Sequence, residues 1–417
     1  MIDITLIRSD PGAVRSALAR RGITPRVDEI LELDKRRRAI QTQLDSMRNQ
    51  QKTASKEIAG LDGHERTQRL AGLKQLSDEI KSLAAEYEEL DVKMRALLLE
   101  TPNLPHSTVP DGAGDESNVE LRTVGEPPAF GFTARDHLEI GQALGIIDTE
   151  RAAKVSGARF AYLVGQAAVL ELALVRFAVD RLGAHGFRPV VTPVLVRREA
   201  MESTGFLPTD EQQIYKLADD ELYLVGTSEV SLAAMHQDEF LDAEALPLRY
   251  CGISTCFRRE AGAYGKDTRG IFRVHQFDKV EMFSFTRPED SWDEHELLLA
   301  LQEEIFRALE VPYRVVNIAA GELGASAAKK YDLEAWMPGQ AAYREVTSCS
   351  NCTDYQARRL GTKVRTSSGS RLVHTLNGTA IAVGRAIIAI IENHQRADGT
   401  VSIPGALRPY TGFDAIN

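Results

Sequence analysis

Cysteine is scarce in this chain: Cys251, Cys256, Cys349 and Cys352 are the four thiols among 417 residues. So few in so long a chain exclude a disulfide-built scaffold and point to a reducing compartment. Long apolar runs are missing too. The most apolar late stretch, 380–391, is interrupted by Gly384 and Arg385, and no unbroken span reaches the roughly 20 residues that a membrane helix needs. The opening Met1-Ile2-Asp3-Ile4-Thr5 lacks the cationic leader and apolar core of a signal peptide. Positive charge is not in excess, since 50 Lys and Arg face 60 Asp and Glu for a formal net charge of -10. That excludes a nonspecific nucleic-acid coat; a nucleic-acid ligand would need local basic patches. A Walker A loop is absent, because the run from Gly321 to Lys330 lacks its spacing and the Ser or Thr after lysine. The expectation is a soluble cytoplasmic protein of two or three domains, with no membrane partner.

What is present falls into two kinds of order. Ile30, Leu33, Ile40, Leu44, Met47, Ala54, Ile58 and Leu61 follow alternating three- and four-residue steps once Arg37 and Gln51 fill two polar gaps. Leu73, Leu76, Ile80, Leu83, Tyr87, Leu90, Met94 and Leu97 repeat the spacing without a gap, and Gly60-Leu61-Asp62-Gly63-His64 between them is a turn signal. Two heptad-patterned helices predict an antiparallel coiled-coil hairpin over residues 28–98 or so. Each helix would run about 50 Å and has little other core to join, so the hairpin is expected to project as an arm. Lys35, Arg36, Arg37, Arg38, Arg48, Lys52 and Lys56 crowd the first helix, and Glu86, Glu88, Glu89 and Asp91 make the base of the second acidic. By itself this pattern suits a solvated surface or an oligomerisation rod as well as a cationic grip. Thr101-Pro102-Asn103-Leu104-Pro105 ends the second helix, which sets the expected domains at 1–104 and 105–417. Lys363 to Arg371 is polar and reads as a loop, and no internal repeat is evident.

The second kind of order is chemical. Cys256-Phe257-Arg258-Arg259-Glu260 and Phe272-Arg273-Val274-His275-Gln276-Phe277-Asp278-Lys279-Val280-Glu281 flank the glycine-punctuated 261–270 stretch. Alternating runs around a polar tip predict an antiparallel hairpin with Arg258, Glu260, Phe277 and Glu281 on one face. An arginine fork suits phosphate or carboxylate and an aromatic ring stacks on a base, so this face fits ATP beside a second small charged molecule. This Phe-Arg-x-Glu, loop, His-x-Phe order resembles the second signature motif of class II aminoacyl-tRNA synthetases. Its full wording, through Ala261-Gly262-Ala263-Tyr264-Gly265 and Thr268-Arg269-Gly270, resembles the seryl-tRNA synthetase family, bacterial type.

Other segments extend the resemblance over nearly the whole chain. Ala161 to Leu182, apolar at helical spacing, followed by His185 to Leu195 with Pro193, resembles the first class II motif at a subunit interface; unaided, it reads as a core helix and an edge strand. Val225-Gly226-Thr227-Ser228-Glu229-Val230 resembles the family's serine-binding Thr-x-Glu segment, although Thr-Ser-Glu also suits a helix N-cap. Ala342 to Asn351 and His374 to Arg385 resemble the third motif: a strand, a glycine turn, then a helix of small residues carrying Arg385. The two class I synthetase signatures are absent. Cys349 and Cys352 with Cys251 and Cys256 offer a zinc set, but Cys349 falls in a run that the family uses for nucleotide binding without zinc, and buried thiols are the default.

The resemblance implies an α+β protein, an N-terminal antiparallel coiled-coil arm joined to a class II body on an antiparallel sheet. It implies a serine–tRNA ligase that forms seryl-adenylate from L-serine and ATP with Mg2+, then transfers the seryl group to tRNA(Ser), and to tRNA(Sec) where present. Arg258 and Arg385 would be catalytic. ATP would meet Arg258, Arg259, Glu260, Val274, Phe277, Glu345, Val346, Thr347, Ser348 and Arg385, with Glu345 and Ser348 holding the magnesium. Serine would meet Thr227, Ser228, Glu229, Arg258, Glu281, Asn377 and Thr379, the last standing where family members commonly carry Ser. The arm would grip tRNA phosphates through Arg36, Arg38, Arg48 and Lys52, reaching across a homodimer to the other subunit. Two rivals stand beside this. A paralogue serving a metabolite pathway would keep every motif, whereas a nonenzymatic tRNA-binding protein would be expected to lose Arg258, Glu281 or Arg385.

Overall fold

The computed structural model describes residues 1–58, 63–262, 265, 267, 269–367 and 369–417. The expected turn residues Gly60, Leu61 and Asp62, and the loop residues Ala263, Tyr264, Lys266 and Thr268, lie outside that set. The chain divides into two compact units: Ile2–Ala19 with Ile23–Thr101, and Met1 with Arg20–Gly22 and Pro102–Asn417.

In the first unit, helix α1 (Val27–Ile58) and helix α2 (Gly63–Glu100) run antiparallel. Ion pairs fix the direction: Arg26 with Glu100, Arg36 with Glu86 and Arg37 with Asp91. The seam is the heptad stripe, where Ile40, Leu44 and Leu90 pack with Leu33, Ile80, Leu83 and Tyr87. Arg37 occupies a seam position by laying its guanidinium over the Tyr87 ring at 5.8 Å while its tip meets Asp91 at 2.5 Å. Asp34, 2% exposed, takes two hydrogen bonds from Arg8 at 2.7 and 2.9 Å and lies 3.4 Å from Arg38.

The second unit is built on an eight-stranded sheet. Its strands are β1 (Val119–Val124), β2 (Arg188–Val191), β3 (Leu248–Phe257), β4 (Gln276–Thr286), β5 (Tyr313–Asn317), β6 (Lys329–Met337), β7 (Ala342–Asn351) and β8 (His374–Ala382). Their spatial order is β1-β5-β6-β7-β8-β4-β3-β2. Every neighbouring pair is antiparallel except the edge pair β2–β3. Helices α4 (Gln166–Ala184), α6 (Ser291–Ala308) and α8 (Val383–Asn393) pack on one face, burying Leu174, Phe177, Leu298, Ile305 and Ile388 against Met282, Leu333, Cys349 and Leu376. Helix α3 (His137–Ala143) joins them, and helices α5 (Glu229–Ala234) and α7 (Tyr355–Leu360) cover part of the opposite face. The uncovered part of that face is the site.

Several expected boundaries move. The hairpin strands end at Phe257 and resume at Gln276, so Arg258 and Glu260 lie on a loop. The chain leaves the ladder there because the N–H of Arg259 turns to the Gln213 carbonyl at 2.9 Å and Glu260 adopts a φ of 50°. Helix α4 starts at Gln166, after Gly165 with a φ of 57°, and Tyr162–Leu163 is a short strand. The third motif has no glycine turn: Ala382 passes straight into α8, and Gly384 sits in its first turn. Instead of a plain loop, Lys363–Thr366 pairs antiparallel with Gly369–Leu372, because Val364 is buried in the core beneath it.

Candidate active site

A cleft of about 830 Å³ opens over β4, β7, β8 and the N-terminus of α8. Three residues of β4, Phe277, Lys279 and Glu281, reach it because alternate side chains of a strand share a face. Period two fails for the other strands, and a β-bulge corrects each. On β7, Leu333 and Glu334 of β6 face Thr347 and Glu345, so Val346 is an extra residue. The extra residue lets Glu345 and Ser348, three apart, both line the cleft, with Val346 between them packed in the core at its wall. On β8, Glu281 and Val280 face Thr379 and Ile381, leaving Ala380 over; Thr379 and Ala382 then share the cleft.

Four carboxylates and four cations line this space: Glu229, Glu260, Glu281 and Glu345 with Arg258, Arg273, Lys279 and Arg385. Three pairs close on themselves: Arg273 with Glu260 at 2.6 Å, Lys279 with Glu281 at 2.5 Å, and Arg385 with Glu345 at 3.3 Å. Burial alone would push the Glu345 carboxyl up, but the charges of Arg385, Lys330 and Arg258 outweigh it and hold it at about 2. Lys279 also donates to the Thr227 hydroxyl at 2.7 Å, and the Thr379 hydroxyl donates to Glu281 at 3.2 Å.

Glu229 and Arg258 are left without a partner of opposite charge among the ion pairs of the described residues. Glu229 accepts from two neutral amides, Gln356 at 2.7 Å and Asn377 at 3.0 Å. Burial, reinforced by the Glu281 charge, pushes its carboxyl up to about 7. Arg258 donates Nε to the Gly226 carbonyl at 3.3 Å and lies 5.4 Å above the Phe277 ring. A cation over an aromatic face is steadied without being neutralised. The cleft thus offers one uncommitted cation and one carboxyl poised to ionise.

Of the residues singled out from sequence for ATP and serine, the cleft gathers Thr227, Glu229, Arg258, Glu260, Val274, Phe277, Glu281, Glu345, Val346, Thr347, Ser348, Asn377, Thr379 and Arg385. Two do not line it. Ser228 is fully buried behind its neighbours, close to Gly252 of β3, where a Cβ would stand 2.6 Å from its hydroxyl. Arg259 is exposed and follows the loop outward. Thr227 and Glu229 flank Ser228 at the start of a helix, so one turn of backbone directs neighbouring side chains apart. Phe206, Phe272, Arg273 and Lys279 line the cleft without having been singled out. Period two between Phe277 and Glu281 was signal enough for Lys279, whereas Phe272 is brought in by a loop that no periodicity describes. The four thiols are free and buried. Burial raises that of Cys251 to about 12, and Cys352 accepts from Asn377 at 3.5 Å.

Residues 1–105 match the family model for the seryl-tRNA synthetase N-terminal domain, and residues 213–394 match that for the class II tRNA synthetase core domain (G, H, P, S and T). A serine–tRNA ligase of Nocardia farcinica is 51% identical over 100% of this chain and 99% of its own length. One of Streptomyces coelicolor is 52% identical over 99% and 98%. The chain belongs to the seryl-tRNA synthetase family. Among solved structures, the seryl-tRNA synthetase of Pyrococcus horikoshii complexed with ATP superposes with a TM-score of 0.94 at 46% identity, covering 100% of this chain and 99% of that one. The cytoplasmic serine–tRNA ligase of Naegleria fowleri, in complex with AMP, gives 0.89 at 37%, with 100% and 99% covered. These seryl-tRNA synthetase relatives share both the helical N-terminal unit and the sheet that carries the cleft.

The elevated Glu229 carboxyl has a measurable consequence. Below the ordinary carboxyl value near 4.5 both folded and unfolded chains hold the proton, and burial costs nothing in charge. As pH rises from there to about 7 the unfolded chain ionises first, so stability falls, and above 7 the loss is complete. Glu229→Gln, which keeps an acceptor for the two amides, is expected to raise stability at pH 8 by up to about 3 kcal/mol relative to its effect at pH 4.5. Urea unfolding at the two pH values measures it; the same increment at both would contradict a raised carboxyl.

Proposed function

We infer that the chain ligates serine to tRNA in two steps within this cleft. The observation that carries the inference is the pair of uncommitted groups, Glu229 and Arg258, in a chain whose full length aligns with serine–tRNA ligases. Serine's ammonium meets Glu229, with Thr227 and Asn377 beside it; its hydroxyl meets Glu281 and Thr379. Adenine stacks on Phe277, bounded by Glu260, Val274, Val346 and Thr347, and Arg385 holds the far side of the nucleotide. Serine's carboxylate oxygen attacks the α-phosphorus in line, forming the C–O–P bond of seryl-adenylate as the bond to pyrophosphate breaks. A ribose hydroxyl of the tRNA terminus then attacks the acyl carbon and AMP leaves. No protein nucleophile is required; positioning and charge neutralisation carry the rate.

The Glu345 carboxylate, ionised far below neutrality, and the Ser348 hydroxyl on the same face form a hard-oxygen pair of the kind magnesium takes together with phosphate oxygens. A bound ion there would supply charge neutralisation on the phosphates.

Residues 1–104 serve tRNA binding on this reading and 105–417 the chemistry, with tRNA(Ser) as acceptor, and tRNA(Sec) where a cell makes it. The cytoplasm, where serine, ATP and tRNA meet, is the matching compartment. Homodimerisation through α4 and β2 is supported by apolar side chains left in water: Val191 is 82% exposed and Leu172 71%. Sedimentation at micromolar concentration should report twice the 46.0 kDa chain mass; a single mass would remove the dimer from the reading.

The chemistry is tested by pyrophosphate exchange run with each amino acid. Exchange should depend on serine, and Arg258→Ala should lower it by about 10²–10³-fold, the usual loss for a preorganised charge contact. Robust exchange with alanine or threonine and none with serine would sink the assignment.

For the arm, the four proposed cations are not equal. Arg36 and Arg38 already face Glu86 and Asp34, whereas no ion pair of Arg48 or Lys52 is found among the described residues. Arg48→Ala with Lys52→Ala should therefore weaken tRNA binding more than Arg36→Ala with Arg38→Ala. It should also flatten the log–log salt dependence by roughly 0.7–0.9 for each phosphate that is no longer neutralised. Unchanged tRNA affinity in both double variants would leave the arm without its proposed role.

A further inference from the structure

Outside the cleft, one buried polar pair is joined to it by backbone. Glu392, fully buried on α8, accepts on one carboxylate oxygen from the N–H of His137 at 3.0 Å and from its ring Nδ1 at 2.9 Å. Its other oxygen accepts from the N–H of Gly339 at 2.8 Å, on the turn between β6 and β7. The far nitrogen of the same imidazole, Nε2, accepts from the N–H of Ile271 at 3.2 Å. These partners divide the ring between two roles. Nδ1 carries the proton toward the carboxylate, and Nε2 is left bare as an acceptor.

Ile271 lies at the returning end of the 258–275 loop, and both it and Phe272 line the cleft. Helix α8 touches this short segment three times. Gly384 lies against the Ile271 carbonyl, where a Cβ would make ordinary contact at 3.5 Å. Arg385 lays its guanidinium 4.8 Å from the Phe272 ring centre, with Arg344 at 4.2 Å from the same ring. The third link is the chain Glu392–His137–Ile271, which starts two helical turns beyond Arg385 on the same face of α8. Gly270 permits the close approach: its φ is 75°, and a Cβ would stand 2.0 Å from Nε2 of His137.

We propose that His137 and Glu392 are positioning residues for adenylate formation, a relay that fixes Ile271 and Phe272 against α8 and so sets how far Arg385 reaches into the cleft. The pair touches no substrate. Its effect should fall on the nucleotide half of the site and spare the half around Glu229, Glu281 and Thr379, to which no hydrogen bond or ion pair joins it among the described residues. The inference rests on the function proposed above, and serine-dependent exchange by the unaltered chain tests that function independently of any variant.

The experiment splits the imidazole in two. His137→Gln places an amide oxygen near the Nε2 position and keeps an acceptor for Ile271; His137→Asn keeps a donor toward Glu392 and abandons Ile271. In pyrophosphate exchange with the full chain, His137→Asn should raise the KM for ATP about tenfold, the usual scale for an orphaned buried donor. The KM for serine should stay within about twofold, and His137→Gln should recover most of the ATP defect. Gly270→Ala, whose added methyl would stand 2.0 Å from Nε2 on a backbone with a φ of 75°, forces the same contact apart. At a lowered unfolding midpoint it should still reproduce the ATP defect with the KM for serine within about twofold, and it decides the matter if the His137 variants fail to fold. Equal losses for ATP and serine, equal defects in the Asn and Gln variants, or an unaltered ATP KM in Gly270→Ala would each overturn the relay.

Discussion

A cleft lined by eight charged side chains, with Glu229, Lys279 and Glu281 buried among them, must balance them pair by pair, and that constraint organises the catalytic unit. Three of the pairs are internal and direct their attraction into the fold. Lys279 and Glu281 sit two apart on β4, so the strand itself sets their spacing. Arg385 and Glu345 span the seam between α8 and β7, and Arg273 and Glu260 tie the two ends of the 258–275 loop. The remaining two groups, Arg258 and Glu229, each lack a counter-ion among the described residues. Burial then dominates at Glu229 and lifts it to about 7, because a carboxylate held only by amides has little to offset desolvation.

Much of this was legible in the sequence, and the parts that were not share a physical origin. Alternation put Phe277 and Glu281 on one face because β4 is a regular strand. Glu345 and Ser348 are three apart, and a regular strand would have parted them; the bulge at Val346 reunites them, and nothing in Val346 itself announces an extra residue. Ser228 was drawn in by its neighbours in a short motif, yet a helix start sends it to β3. Arg259 was drawn in likewise, yet its backbone turns to Gln213 and its side chain to solvent. Where the chain follows a simple period, sequence reading holds. Where a bulge or a loop resets the phase, only the fold reveals which side chains meet.

The arm gives the same lesson for charge. Its heptads are apolar enough that the helical pairing was plain, and even the two polar gaps could be seen, at Arg37 and Gln51. What a linear pattern cannot give is which cations already have a counter-ion. The acidic base of α2 is not a separate feature but the counterpart of Arg36 and Arg37, and Asp34 gathers Arg8 and Arg38. Exposed pairs of this kind are individually weak, but they do lower the positive charge that the helix presents. Cationic strength on α1 therefore lies further along than the Lys35–Arg38 cluster suggests.

The uncommitted pair also bears on the order of chemical events. The first step must bring a carboxylate against a phosphate, two anions that repel along the very line of attack. We infer that Arg258 lies between them in function: it is the one lining cation without an ion pair among the described residues, and its planar fork has donors enough for both partners. Its place above the Phe277 ring, and its Nε bond to Gly226, fix the guanidinium before either substrate arrives, so little reorganisation remains for the moment of reaction. Glu229 would supply the complementary half. An arriving ammonium favours its ionised form, so a carboxyl that is costly to ionise in the empty cleft becomes a counterion once serine is present. A zwitterion satisfies both residual charges at once, whereas an amine or a carboxylate alone satisfies one and leaves the other unmet. On the proposed reading, selection for an amino acid would follow from the two charges left unpaired among the described residues, before hydroxyl contacts from Glu281 and Thr379 would distinguish one side chain from another.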